Sequence, residues 1–142
     1  HQGNGTASIF SENKEVFTIS FHGKKNYPFR KEKSDIDVEF EDNSDDHFYL
    51  KKLKDFIPNA IDNFKPDFIF YLSGVDGLNN DKLGRLGLSI DGCKERDKFI
   101  LELCKINSIP VQVSMGGGYS ELLKNIIEAH SNTFRLAQEI YF

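Results

Sequence analysis

Cysteine is scarce in this sequence, and the two present, Cys93 and Cys104, fall in one stretch with helical patterning. That placement excludes a disulfide framework and a Cys-rich zinc site, and it fits two reduced, ordinary cytosolic thiols. No apolar run reaches membrane-spanning length, so no transmembrane helix is expected. Basic charge is not in excess: 18 Lys and Arg against 22 Asp and Glu leave a net charge of −4. The densest basic cluster, Arg30-Lys31-Glu32-Lys33, is broken by an acid and reads as a solvated loop, so direct nucleic-acid binding is not expected. Nucleotide motifs are missing too. No Gly-Lys-Ser/Thr supplies a Walker lysine and hydroxyl, and the one glycine run, 116–118, lacks the dinucleotide spacing. The chain opens on His1 with no initiator Met, no basic n-region and no apolar signal segment. It is therefore read as a fragment of a cytoplasmic protein.

What is present is the makeup of one globular domain, with 39% hydrophobic and 28% charged residues over 142 positions. The organising stretch is 67–89. Residues 67–72 read as a strand whose run 68–72 has no polar alternation, which predicts cover on both faces, as in a parallel sheet. Ser73-Gly74-Val75-Asp76 follows at its carboxyl end. In open parallel α/β sheets that edge is where ligands bind, so Asp76 is either a site carboxylate or a turn cap.

The flanking segments extend the pattern. Residues 16–21 predict a strand ending at His22-Gly23, and 110–115 predict another ending at the glycine run. Residues 36–40 alternate like a brief edge strand within the charged loop 24–43, and 6–10 suggest a short helix. In 26–29 two aromatics flank Pro28, either walling a channel or pinning the loop to the core, and pinning is favoured. Ser44 is expected to cap a helix with Asp45 and Asp46 in its first turn and Pro58 after its end. Ser89 or Asp91 caps a helix running to about Asn107, with Phe99, Ile100, Leu103 and Cys104 inside. Strand, helix and strand then make a parallel βαβ crossover. A last helix covers 121–142, with a break expected near Ser131-Asn132. His47 and His130 are expected at the surface.

Three strands thus end in polar or glycine-rich turns that a single parallel sheet would gather on one edge. HQGNGTA at 1–7 is a weak motif alone, since Asn-Gly is commonest as a plain turn; Gly3 and Gly5 would permit a tight turn or a close ligand approach.

Taken in order, HQGNGTA at 1–7, SGVDGLNNDKLGRLGLS at 73–89 and GGGYS at 116–120 resemble the zinc-dependent histone deacetylase superfamily, especially its bacterial and class IV branches. ISFH at 19–22, NYPF at 26–29 and YLKKL at 49–53 fall where that family would place them, so the resemblance covers nearly the whole chain. It implies a three-layer, parallel-sheet α/β fold of the arginase/deacetylase type, with residues 1–142 forming the C-terminal portion of one domain. It also implies that His1 and Asp76 bind zinc, and that Tyr119 hydrogen-bonds the substrate carbonyl behind Gly117 and Gly118. Tyr27 falls near the family's channel wall. Potassium sites are implied at Ser20 and Phe21, and at Phe10, Asn13 and Val16. The implied substrate is an acylated lysine or a polyamine-like amine.

One zinc-binding Asp of the family pattern, and its pair of catalytic histidines, would lie before position 1. The expectation is therefore a zinc amidohydrolase whose missing amino-terminal half completes the site, with this segment inactive alone. The competing reading is a degenerate, non-enzymatic deacetylase-like binding domain. An arginase-like hydrolase is disfavoured, because carboxylate-rich motifs for two metals are missing.

Overall fold

The structure, a computed structural model, describes residues 1–142. Strand β1 (Ile19–Gly23) pairs in parallel with β2 (Ile36–Phe40), and β3 (Ile69–Leu72) in parallel with β4 (Val111–Ser114). Parallel pairing is as the sequence predicts. The single sheet is not: the two pairs share no ladder. Ladder bonds need backbones side by side at roughly 4.8 Å, and here the pairs are joined instead by side chains, by residues 1–3 and by loop bonds from Asn43 N–H to the Arg85 carbonyl at 2.7 Å and from Gly87 N–H to the Ser44 carbonyl at 2.9 Å. The backbone N–H of Gly3 donates to Ser20 Oγ at 3.2 Å, and the His1 imidazole meets the Asp76 carboxylate.

Helix α1 (Asn4–Phe10) buries Ala7, while α2 (Asp46–Phe64), α3 (Ile90–Ile106) and α4 (Leu123–Tyr141) form a packed row with α3 in the middle. Ser89 caps α3 by accepting from the Gly92 N–H, as expected. On α2 the cap is Asp45, accepting from Phe48, and not Ser44, whose hydroxyl turns back to the Glu41 carbonyl. Pro58 lies inside α2. The bond it forfeits belongs to the carbonyl of exposed Lys54, while Ala60 is buried and Phe64 packs on Phe17 beyond it; packing outweighs the lost bond, and the helix continues. Helix α4 is unbroken through Ser131-Asn132, because Asn132 and Thr133 turn inward and Thr133 finds a buried partner on α3.

The main core joins Val38 and Phe40 of β2, Tyr49 of α2 and the loop residues Val75, Leu78, Leu86 and Leu88. A smaller cluster of Leu53, Ile100 and Cys104 seats α2 and α3 on β3. Coverage stops there. Phe70 and Leu72 point away from these helices and are 73% and 62% exposed, so β3 is not covered on both faces. Its apolar run records what the strand can be packed against, and this chain lays no element over that side. No helix is long and apolar enough to cross a membrane.

Candidate active site

Asp76 stands four residues beyond the end of β3, held by a turn in which Val75 N–H donates to the Gly117 carbonyl at 2.7 Å. That bond ties the turn after β3 to the one after β4. On the other side, Gln2 is buried and anchors residue 1. Its amide donates to the Glu32 carbonyl at 2.7 Å and to Asp37 at 3.0 Å, and accepts from the Glu32 N–H at 2.9 Å. The two anchors bring together residues 75 positions apart: His1 Nδ1 meets Asp76 Oδ2, with both side chains partly buried.

The far side of the imidazole meets Asn26, whose Nδ2 lies 3.3 Å from His1 Nε2 and also donates to the Leu83 carbonyl at 2.7 Å. Asn26 is buried and accepts from the Arg85 N–H at 3.0 Å. The sequence expectation does not include it. A small polar residue three positions beyond the end of a strand was the available signal.

Tyr119 is 47% exposed, and its ring meets that of His1 edge-on with centroids 6.3 Å apart. A Cβ on Gly117 would lie 3.1 Å from this ring and 3.2 Å from Asp76 Cβ, so absence of a side chain there lets Tyr119 lie beside the carboxylate. None of the glycines has a positive φ; in the 116–118 run the requirement is for space, not for left-handed backbone. Gly118 is wedged between Val75 and Ile126, whereas Gly3 and Gly5 have open space around them.

His1 and Tyr119 line a groove of about 610 Å³ whose walls include Tyr27, Phe29 and Leu83. Tyr27 is 65% and Phe29 87% exposed, their rings T-shaped at 6.2 Å. The pinning role expected for this pair is thus corrected, because both rings face the groove and not the core.

Behind the site lies a buried polar network. Arg96, at 6% exposure, donates through Nη1 to the Gly74 carbonyl at 2.7 Å, and through Nε to Asp97 Oδ1 at 2.8 Å. Asp97 also accepts from the Tyr71 hydroxyl and, at 2.6 Å, from Thr133 Oγ1. Arg96 and Asp97 form no motif; the signal that could have found them is their helical spacing from Cys93 and Ile100 on the buried face. His130, expected at the surface, is buried beneath the glycine run, since its neighbours Ala129 and Thr133 turn α4's inner face toward α3. Burial lowers its pKa and that of fully buried His22, whose Nδ1 bonds Ser20 Oγ at 2.9 Å. Burial also pushes the thiols of Cys93 and Cys104 up to about 11, so both stay protonated.

Of the residues implied for potassium, Ser20 and Phe21 lie on β1, and the Ser20 hydroxyl is already engaged by Gly3 and His22. Phe10, Asn13 and Val16 form successive turns after α1, with Asn13 N–H donating to Phe10 O at 2.9 Å and Val16 N–H to Asn13 O at 3.2 Å. One imidazole nitrogen and one carboxylate oxygen converging beside a phenol suit a zinc-class ion. No group of three His, Cys, Asp or Glu side chains forms, so His1 and Asp76 are the two donors this chain brings together there.

Residues 1–134 match the family model described as the histone deacetylase domain. The chain belongs to the histone deacetylase family. Among similar proteins, an uncharacterised one from Picosynechococcus sp. is 36% identical over 141 residues, covering 99% of this chain and 47% of that one. Histone deacetylase 2 of Arabidopsis thaliana is 30% identical over 130 residues, covering 89% and 34%. The crystal structure of an acetylpolyamine aminohydrolase from Burkholderia pseudomallei superposes with a TM-score of 0.81 at 19% identity, over 99% of this chain and 43% of that one. That likeness shows the arginase/deacetylase-type α/β fold anticipated from sequence. The chain spans about half or less of the length of these similar proteins.

Proposed function

We propose that this chain forms part of a zinc-dependent amidohydrolase that removes an acetyl or other acyl group from a lysine-like or polyamine amine. The observation that carries this reading is the meeting of His1 Nδ1 and Asp76 Oδ2 beside Tyr119, where His1 and Tyr119 line the groove. His1 and Asp76 would hold the ion, with Asn26 orienting the imidazole from behind. Bound there, zinc supplies Lewis acidity toward water and an amide carbonyl. Tyr119 donates its hydroxyl proton in a hydrogen bond to the substrate carbonyl oxygen as negative charge develops on it. Tyr27 and Phe29 flank the alkyl stem, while Gly117 and Gly118 serve the substrate through Tyr119, whose ring and loop they let pack against Asp76, Val75 and Ile126. Potassium bound near Ser20 and Phe21, or near Phe10, Asn13 and Val16, belongs to the same proposal. So does a further segment of the domain that brings the remaining ligand and the general base.

A second reading, a non-catalytic deacetylase-like binding domain, is favoured by one observation. No histidine other than His1 reaches the groove: His22 and His130 are buried behind it and His47 is exposed on α2. Tyr119→Phe, made in the protein that carries this chain with the rest of its domain, separates the two. Turnover of acetyl-lysine peptides and acetylpolyamines should fall roughly 10²–10³-fold, with zinc content unchanged. Unchanged turnover removes Tyr119 from the mechanism, and a zinc-loaded wild type without turnover favours the binding domain.

A further inference from the structure

We infer that Asp81 is the positioning residue that sets Tyr119 against the site, through a hydrogen bond to the tyrosine's own backbone. Tyr119 lies in the irregular segment between β4 and α4, after three glycines whose backbone freedom would otherwise let it wander. Helix α4 starts only at Leu123, and Leu122 gives it no side-chain cap. The hold on Tyr119 comes from elsewhere: its N–H donates to Asp81 Oδ2 at 2.6 Å, and residues 81 and 120 form an isolated antiparallel bridge.

The other carboxylate oxygen faces its own loop. Asp81 Oδ1 accepts from the N–H of Leu83 at 2.9 Å and of Gly84 at 2.7 Å. That loop lies directly on the candidate metal ligand, since a Cβ on Gly84 would sit 1.6 Å from the Asp76 carbonyl oxygen. Its Leu83 carbonyl accepts from Asn26, the residue behind His1. One carboxylate with three N–H donors thus joins the segment that touches Asp76 and Asn26 to the backbone of Tyr119. Charge-assisted bonds to an ionised oxygen are about twice as strong as neutral ones, so a single side chain suffices to register the two loops.

This inference rests on the reading of Tyr119 as an oxyanion donor, whose strength depends on placement to a fraction of an ångström. Asp81→Asn keeps the shape; turned so that its oxygen still serves the loop, it sets an NH2 donor against the Tyr119 N–H. In the catalytically complete protein, kcat should fall roughly ten- to a hundredfold with little change in KM, the scale of a misplaced reacting group. In a Tyr119→Phe background the same change should cost no more than about twofold, because residues acting as a unit are non-additive. Equal losses in both backgrounds would overturn the inference and leave the tyrosine reading standing. If Tyr119→Phe alone has no effect, both fall together. Amide hydrogen exchange supplies a readout independent of activity: Asp81→Asn should speed exchange at Tyr119 at least about tenfold while amides within α3 keep their protection. Unaltered exchange at Tyr119 also overturns the inference.

Discussion

Strands β1 and β3 invert the usual relation between hydropathy and burial. On β1 the inward residues are polar: Ser20 and His22 are 7% and 0% exposed. On β3 the apolar residues Phe70 and Leu72 are 73% and 62% exposed. The difference lies in what each strand meets. Residues 1–3 lie against β1, with Gly3 bonding the Ser20 hydroxyl, and Gln2 and Ser20 complete a polar layer with His22 and Asp37. Over Phe70 this chain lays no helix or strand, and the Phe68 ring 4.9 Å away leaves it largely exposed. Burial is therefore decided by neighbouring elements, and buried polar groups persist where partners satisfy them.

Three experiments sharpen this contrast, and the buried network behind β3 should show the largest effect. Asp97→Ala removes the acceptor shared by Arg96, Tyr71 and Thr133 and leaves a guanidinium buried without its counter-ion. A loss of about 3–5 kcal/mol is expected from urea unfolding of the chain. A loss under about 1 kcal/mol would show that water reaches Arg96 and that the burial is incomplete.

The polar layer on β1 should reveal itself through pH. Burial lowers the His22 pKa in the folded chain below its unfolded value near 6.5, against the opposing pull of Asp37. Below that value the unfolded chain takes up the proton more readily, so this contribution to stability is present at neutral pH and is lost as the solution is acidified. His130 acts in the same direction. The urea midpoint should drop between pH 7 and pH 5, and His22→Gln with His130→Gln should flatten that slope. An undiminished slope in the double variant would assign the acid sensitivity to carboxylates.

The open face of β3 should show the smallest change in stability. Phe70→Ser and Leu72→Ser should each stay within about 0.5 kcal/mol in the isolated chain, the usual range for exposed positions. Self-association measured by light scattering should fall in the same variants, because exposed contiguous apolar surface drives contact between copies. A cost of 2 kcal/mol or more at Phe70 would mean that the face is covered in solution and that the contrast with β1 is wrong.

Much of the fold was legible because it depends on neighbours in sequence. The β3–α3–β4 crossover follows from two apolar runs separated by an amphipathic stretch, and the α3 cap from Ser89 preceding it. The misplaced features are those where local and distant terms compete. Pro58 breaks a helix locally but sits in one that Ala60 and Phe64 hold by packing, and Ser131-Asn132 looks like a break until Thr133 finds Asp97. The candidate site was legible in His1, Asp76 and Tyr119 because ordered motifs carry them. Asn26, Asp81 and Arg96 were not, since each works through a backbone group whose position depends on the folded loops.

The order of residues by itself determined the strands and helices, the turns that end them and the residue types offered at those turns. Side-chain period, capping geometry and the steric demands of glycine act over a few residues and leave a trace in composition. Only the tertiary structure decided that Asn26 backs His1 across from Asp76, that His130 and Arg96 are buried while Phe70 is not, and that the parallel strands stand as two pairs. Those outcomes depend on the desolvation of each group against the partners that reach it, and those partners lie up to 75 residues away in the chain.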